Sequence, residues 1–287
     1  MSRNPTRGIW LMIAAVASFA AQDGFSRYLA EEYNTLMVVM IRYWVFAAFV
    51  LVLALRRAEG LRTAIASRRM GAHVLRATLL VTEVCVIVYG YTLIGLIESH
   101  AVFAICPLLI AALSGPLLGE KVSLARWLAI GAGLAGVIII LRPGTGVFTP
   151  AALLPFASAL MFALYSVLTR LTTRDEPTFP AFFWPGVIGA VLMTLVGLPF
   201  WQPIAPADIA PLAAYAAIAV FSHWLLLKCY EATEAARVQP YAYLQIVFVT
   251  IIGITIYGEV LELPVALGAL VIIAAGLYAL SLERKTA

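Results

Sequence analysis

Charge is scarce in this sequence. Only 12% of its 287 residues are Asp, Glu, Lys or Arg, against about a quarter in a typical soluble domain. Too few charges remain to cover a water-facing surface, so a soluble two-domain protein of this length is excluded. Cysteine is scarce as well. Cys85, Cys106 and Cys229 all fall in apolar stretches, with no CxxC pair and no histidine at metal-ligand spacing, which excludes a disulfide scaffold and a zinc site. The 19 Lys and Arg outnumber the 15 Asp and Glu by a net +4, but they are scattered between apolar runs and form no nucleic-acid-binding patch. No GxxxxGK[ST] loop occurs, so nothing points to ATP as the energy source. No cofactor and no metal are expected.

Apolar residues are abundant. They make up 63% of the chain, and the mean hydropathy is +0.98. Both values are those of an integral membrane protein. A crossing helix needs roughly 17–25 largely apolar residues. Runs of that kind lie near 8–28, 35–55, 73–92, 99–118, 123–141, 151–171, 179–199, 209–229, 238–257 and 263–282. The alternation of a membrane β-barrel is absent. Arg3 and Arg7 before the run from Ile9 to Ala21, with Ala15-Val16-Ala17 following, imitate a signal peptide. With no soluble segment after it to secrete, the run reads as the first membrane helix.

Charge orients the bundle. One set of alternate connections carries Arg56, Arg57, Arg62, Arg68, Arg69, Lys121, Arg126, Arg170, Arg174 and Arg237, together with the terminal Arg3, Arg7, Arg284 and Lys285. The other set carries Arg142 and several acids, among them Glu31, Glu98, Asp208 and Glu259. Cytoplasmic loops collect Lys and Arg. Both termini are therefore expected in the cytoplasm of a multi-pass protein of a bacterial inner membrane, and the even helix count agrees.

The two sets of five runs resemble each other. Phe19-Ala20 followed by Ser26-Arg27 recurs 143 residues later as Phe162-Ala163 followed by Thr169-Arg170. Tyr91 recurs as Tyr230, and Gly119-Glu120 as Gly258-Glu259, each 139 residues on. A unit of five helices inserts its second copy upside down, and inverted repeats of this kind characterise many secondary transporters. The expected fold is therefore an all-α integral membrane protein of ten transmembrane helices in two inverted five-helix repeats, 1–143 and 144–287.

With its doubled Gly-Glu pair, its first-helix run from Phe19 through Gln22-Asp23 to Arg27 and its Arg42-Tyr43 pair, the chain resembles the EamA type of the drug/metabolite transporter superfamily. The resemblance covers nearly the whole sequence. It implies metabolite transport, often export of amino acids, although importers of vitamins and nucleoside-like compounds share the fold. The leading expectation is thus a secondary transporter that exports amino acids, aromatic ones included, by alternating access. The alternative is an importer of a vitamin or nucleoside-like metabolite. An intramembrane enzyme would need a converging cluster of catalytic groups, for which Glu83 with His223 is a poor substitute; no enzymatic activity is expected.

Buried charges mark the candidate site, since each costs about 2.5–3.5 kcal/mol at a helix centre on insertion scales. Glu83 lies about ten residues into its helix, roughly 15 Å deep, with no Lys or Arg within one turn. Low dielectric favours its neutral acid. It reads either as a proton or substrate-amine site or as a carboxyl hydrogen-bonded for packing. Asp23 and Arg42 lie at similar depth and are expected to pair, structurally first, or else as an outer gate or a clamp on a zwitterion; Gln22 adds a neutral donor and acceptor. His223, Tyr43, Tyr165, Tyr243 and Gln245 complete the candidate cavity lining, between the first, third, fourth, sixth, eighth and ninth helices. His100 and His223 could relay protons near physiological pH, but each reads first as a packed or interfacial residue. Pro107 and Pro240 are candidate gating bends. Glu120 and Glu259 read as turns held by capping amides of the helix that follows each. Gly131, Gly133, Gly136, Gly268 and Gly276 are expected to let the fifth and tenth helices approach closely, as a scaffold seam or a dimer face. Expected partners are a small-molecule substrate such as an amino acid, the lipid bilayer and a proton as coupling ion, with no nucleic acid, and a monomer or homodimer.

Overall fold

The computed structural model describes residues 5–57, 60–119, 122–142, 149–173, 176–232 and 235–286. Glu120 and the expected junction between the two repeats lie outside them. The described residues contain thirteen α-helices: α1 Pro5–Glu32, α2 Thr35–Leu55, α3 Leu61–Ala64, α4 Met70–Ile94, α5 Leu96–Phe103, α6 Cys106–Leu118, α7 Leu124–Leu141, α8 Leu153–Thr173, α9 Thr178–Gly197, α10 Ile209–Ala232, α11 Ala235–Ala242, α12 Leu244–Tyr257 and α13 Leu263–Thr286. They make ten membrane-crossing segments. The protein is a multi-pass, all-α membrane protein.

The sequence expectation missed two breaks. The fourth crossing is two helices, α5 and α6, interrupted at Ala104 and Ile105 with Pro107 in the first turn of α6. The ninth is α11 and α12, interrupted at Tyr243 with Pro240 inside α11. A proline lacks the N–H that would bond the preceding turn, which fits the end of α5 at Phe103, four residues before Pro107, whereas Pro240 lies inside α11 three residues before its break. The breaks correspond: Phe103 and Ala242, which end α5 and α11, lie 139 residues apart. So do Gly119 and Gly258, which end α6 and α12 in the left-handed region at φ 71° and 64°, a conformation that costs glycine nothing.

Other boundaries follow local chemistry. Asn34 caps α2 by accepting from the Met37 amide at 2.8 Å, and Ser123 caps α7, as polar N-caps do. Gly95 ends α4 at φ 85°, and a Cβ there would lie 2.7 Å from Glu259 Oε1.

Packing pairs α1 with α10 and α12, α8 with α4 and α6, α2 with α9, and α7 with α13. Exchanging the first five crossings for the last five maps this set of contacts onto itself. In the α7–α13 seam, Gly136 and Gly268 bring backbones together so closely that a Cβ on either would lie 2.8 or 2.6 Å from the other's carbonyl oxygen. Gly133 receives Leu108, and Gly276 receives the Tyr243 ring. Gly131 has nothing within 4 Å and takes no part in the seam. Large apolar side chains such as Leu195, Ile256 and Leu270 point outward, where lipid replaces water. Helix association then rests on van der Waals fit rather than on the hydrophobic effect.

The joints between crossings fall into two groups, each tied together by hydrogen bonds. On the face away from the chain ends, here the distal face, Asn34 bonds the Phe200 carbonyl, Arg142 pairs with Glu262, and Tyr28 and Tyr33 bond Asp208. On the terminal face, Ser67, Arg68 and Arg69 meet Glu176, and Trp184 bonds the Ile65 carbonyl.

Candidate functional site

Between the two faces lies a set of polar side chains that no lipid-facing position could tolerate. Asp23 on α1 is buried, and its Oδ2 accepts from Gln245 Nε2 on α12 at 3.1 Å and lies 3.0 Å from His100 Nε2 on α5. The His100 ring stacks on Tyr91 at 5.2 Å between centroids, and its Nδ1 lies 3.1 Å from the Leu96 carbonyl. This arrangement corrects the expected Asp23–Arg42 pair: the two are electrostatic neighbours, but the hydrogen-bonded partners of Asp23 are His100 and Gln245, not Arg42. His100, read as packing from the sequence, therefore belongs to the centre of the polar set. It is 77 residues from Asp23, and no local pattern could announce the pairing.

Arg42 lies on the interior face of α2, one turn from Val38, Val39 and Phe46, all buried, yet it keeps part of its own surface accessible. His223 on α10 does the same beside buried Ala219 and Ser222. Each is thus partly accessible while the residues one turn away on the same face are buried. The His223 ring stands edge-on to Phe19 at 5.1 Å and tilts against Phe46 at 5.3 Å, and its Nδ1 donates to the Ala219 carbonyl at 2.8 Å.

Glu83 on α4 is buried and accepts from Ser158 on α8 at 2.8 Å. This is the packing arrangement its sequence reading allowed. Gln22 is buried beside Asp23, with its Oε1 unpartnered. Two candidates pack against glycines of other helices. Tyr43 is buried with its ring where a Cβ on Gly189 of α9 would stand, 2.4 Å away. Tyr243 points at Gly276 on α13 with its hydroxyl unpartnered. Each ring fills the notch that a glycine leaves in the next helix. A sequence does not show which of its glycines will face an aromatic ring.

A carboxylate ties neighbouring helix ends together on each face. On the distal face Glu259 accepts from the amides of Leu96 at 2.7 Å and Ile97 at 2.8 Å and forms an ion pair with Arg27. The Arg27 guanidinium also bonds Glu31 and lies 4.2 Å over the Tyr257 ring. Glu259 was expected to cap the following helix, α13; it caps α5, from the other half, instead. The reason is geometric: Gly258 turns the chain away from the axis of α12, and Gly95 leaves the room that a side chain would occupy. On the terminal face Glu176 accepts from Ser67, from the amides of Arg68 and Arg69, and from His73. His73 Nδ1 in turn faces Arg76, which is fully buried, bonds Thr169 and the Ala181 carbonyl, and lies over the Tyr165 ring at 5.2 Å. Arg76 escaped the sequence reading, although it interrupts an apolar run as plainly as Glu83 does. Burial acts to raise the Glu176 carboxyl, but the hydrogen bonds from Ser67, the Arg68 amide and His73 outweigh it and hold the group below the usual carboxylate range.

A cavity of about 220 Å³ opens on the distal face between Leu93, Glu98, Ile140, Arg142 and Glu262, apart from the central polar set. Among the described residues no cluster of three metal-ligating side chains occurs.

A family model for EamA-like transporters matches the chain twice, over residues 6–142 and 149–281. The chain belongs to the EamA-like transporter family. Full-length relatives of this EamA-like protein include an S-adenosylmethionine uptake transporter of Rickettsia prowazekii, 25% identical over 96% of this chain and 93% of that one. A riboflavin transporter of Vibrio cholerae is 26% identical over 99% and 96%, and one of Brucella anthropi is 27% identical over 96% and 99%. A solved crystal structure, 19% identical, superposes with a TM-score of 0.65 over 99% of this chain and 98% of that one; at that identity it speaks for the fold of the EamA-like chain alone.

Proposed function

We propose that this EamA-like protein is a secondary carrier that takes up a metabolite combining a fused nitrogen heteroaromatic ring with a polar or charged tail. S-adenosylmethionine and riboflavin are the two models for such a substrate. The observation that carries the reading is His223, partly accessible among buried neighbours and set against the rings of Phe19 and Phe46, with Arg42 as its electrostatic neighbour. An aromatic surface beside a fixed cation suits a flat ring with a polar tail. The names of the relatives favour the same class. Export of amino acids, the leading expectation from the sequence, has no counterpart among the relatives named above. Their transporter names also fit a carrier better than an intramembrane enzyme.

Alternating access is the mechanism of this reading, with residues 1–143 and 144–287 as two inverted repeats. Its supports are the double family match, the corresponding breaks after Phe103 and Ala242 and the self-mapping helix contacts. Arg42, Tyr165, His223 and Gln245 are the proposed substrate contacts, and Glu83, Tyr43 and Tyr243 pack the surrounding wall. The Lys- and Arg-rich terminal face lies in the cytoplasm of a bacterial inner membrane.

Reconstitution into liposomes tests the proposal. Labelled riboflavin and S-adenosylmethionine are offered beside a panel of labelled amino acids, without ATP. Saturable uptake of either heteroaromatic compound, competed by the other ring system but not by amino acids, is the expected result. Counterflow of amino acids with neither compound transported overturns it.

A further inference from the structure

We infer that the Asp23–His100 pair is the proton-binding site of this carrier and that its single proton holds the distal face shut. The inference rests on the carrier reading above but not on the identity of the substrate.

Hydrogen-bond valence carries the argument. A carbonyl oxygen only accepts, so His100 Nδ1, 3.1 Å from the Leu96 carbonyl, bears a hydrogen. The other ring nitrogen, Nε2, stands 3.0 Å from Asp23 Oδ2. One proton between them makes a hydrogen bond, whether written as imidazolium with carboxylate or as imidazole with carboxylic acid. With no proton there, two lone pairs face each other across 3.0 Å in a buried site, which is unfavourable. The observed geometry therefore holds one proton. Gln245 donates to the same oxygen and keeps the carboxyl aimed at the ring.

The same atoms connect to the distal Glu259 tie. Leu96, whose carbonyl takes the His100 Nδ1 hydrogen, presents its own amide to Glu259, and Glu259 holds Arg27, one turn beyond Asp23 on α1. Helices α1 and α5 are thus joined twice, by the proton and by Glu259. Loss of the proton to water leaves repulsion at the first joint and strains the second. Taking a proton from water restores the N–H···O bond and draws α5 back to α1.

The titratable and charged groups around the pair are Tyr91 and Glu83 on α4, Arg42 on α2, Tyr215 on α10, Arg27 on α1 and Glu259 beyond α12. Of these, only Tyr91, at 3.4 Å from His100 Nε2, contacts the pair itself. The pair is 8% and 6% exposed, so proton exchange requires opening of a face.

Two measurements test the site. In the first, spin labels at residues 32 and 261 on the distal face of an otherwise cysteine-free, full-length protein report their separation from pH 5 to 9 without substrate. The parent should lengthen as pH rises. Asp23→Asn, which keeps the shape and always carries hydrogens, should stay short at every pH; His100→Gln should likewise lose the pH response. A parent distance flat in pH, or a shift retained in both folded variants, overturns the proposal, whatever the substrate proves to be. In the second, a one-unit inward acid gradient should accumulate riboflavin or S-adenosylmethionine about tenfold for one coupled proton and about onefold in Asp23→Asn. Parental accumulation that ignores the gradient overturns the coupling. Failure of both compounds to cross at all counts against the substrate reading and leaves the first measurement standing.

Discussion

At the scale of single residues, the buried charged groups Asp23, Arg76, Glu83 and Asp208 each meet a hydrogen-bond partner on another helix. Glu83 illustrates the rule. Its carboxyl has one hydroxyl donor, Ser158, and an unmet buried acceptor costs about 1–3 kcal/mol. Ser158→Ala should therefore lower the melting temperature in detergent by that equivalent. Glu83→Gln retains an acceptor for Ser158 and should cost less than about 1 kcal/mol. A Gln variant that melts far below the Ala variant would show that the acid itself is required there. The intramembrane charges were legible in the sequence because each interrupts a long apolar run, as Asp23, Arg42 and Glu83 do. Their partners were not. Asp23 was expected to choose Arg42 because opposite charges at similar depth attract, and it chose His100 because α5 brings an imidazole to hydrogen-bonding distance.

At the scale of the helix, breaks and glycine notches shape the bundle more than propensity does. Pro107 and Pro240 were visible as irregularities, but the complete interruptions at Ala104–Ile105 and at Tyr243 were not, since hydropathy runs straight through them. The α7–α13 seam offers a direct comparison. Gly136→Val must push against the Gly268 carbonyl and Ile272, and overpacking of this kind costs about 1–3 kcal/mol. Gly131→Val, one and a half turns away in the same helix, meets open space and should leave stability nearly unchanged. Thermal melts of the two variants check the prediction; equal losses would mean that the seam is not glycine-dependent. The sequence placed these glycines in helices that would approach each other, and the contact distances sort them into those that touch and those that do not.

At the scale of the whole molecule, carboxylates tie the joints of both faces. Glu259 belongs to the first crossing's neighbourhood on the distal face, and Glu176 ties the α8–α9 joint to the start of α4 on the terminal face. The Glu176 carboxyl is held below its ordinary value of 4.5, so its contribution is fully present above that value and is lost as pH falls through the lower folded value. Amide exchange at Arg68 and Arg69, corrected for intrinsic rate, should accelerate as pH is taken well below the ordinary carboxylate value of 4.5. Glu176→Gln should show weaker protection that no longer varies with pH in that range. Unchanged protection in the variant would remove Glu176 from the joint.

Class, crossing number and the family resemblance could be read from order and composition alone, because the cost of burying backbone and charge in lipid forces long apolar helices and leaves a periodic record of them. The candidate charges were readable for the same reason. Which groups meet was settled only by folding. His100, Gln245 and Asp23 come from three crossings, and Glu259 reaches from the end of α12 to cap α5 in the other half. Such meetings depend on helix rotation and close approach, which side chains far apart in the chain decide jointly and no local window records.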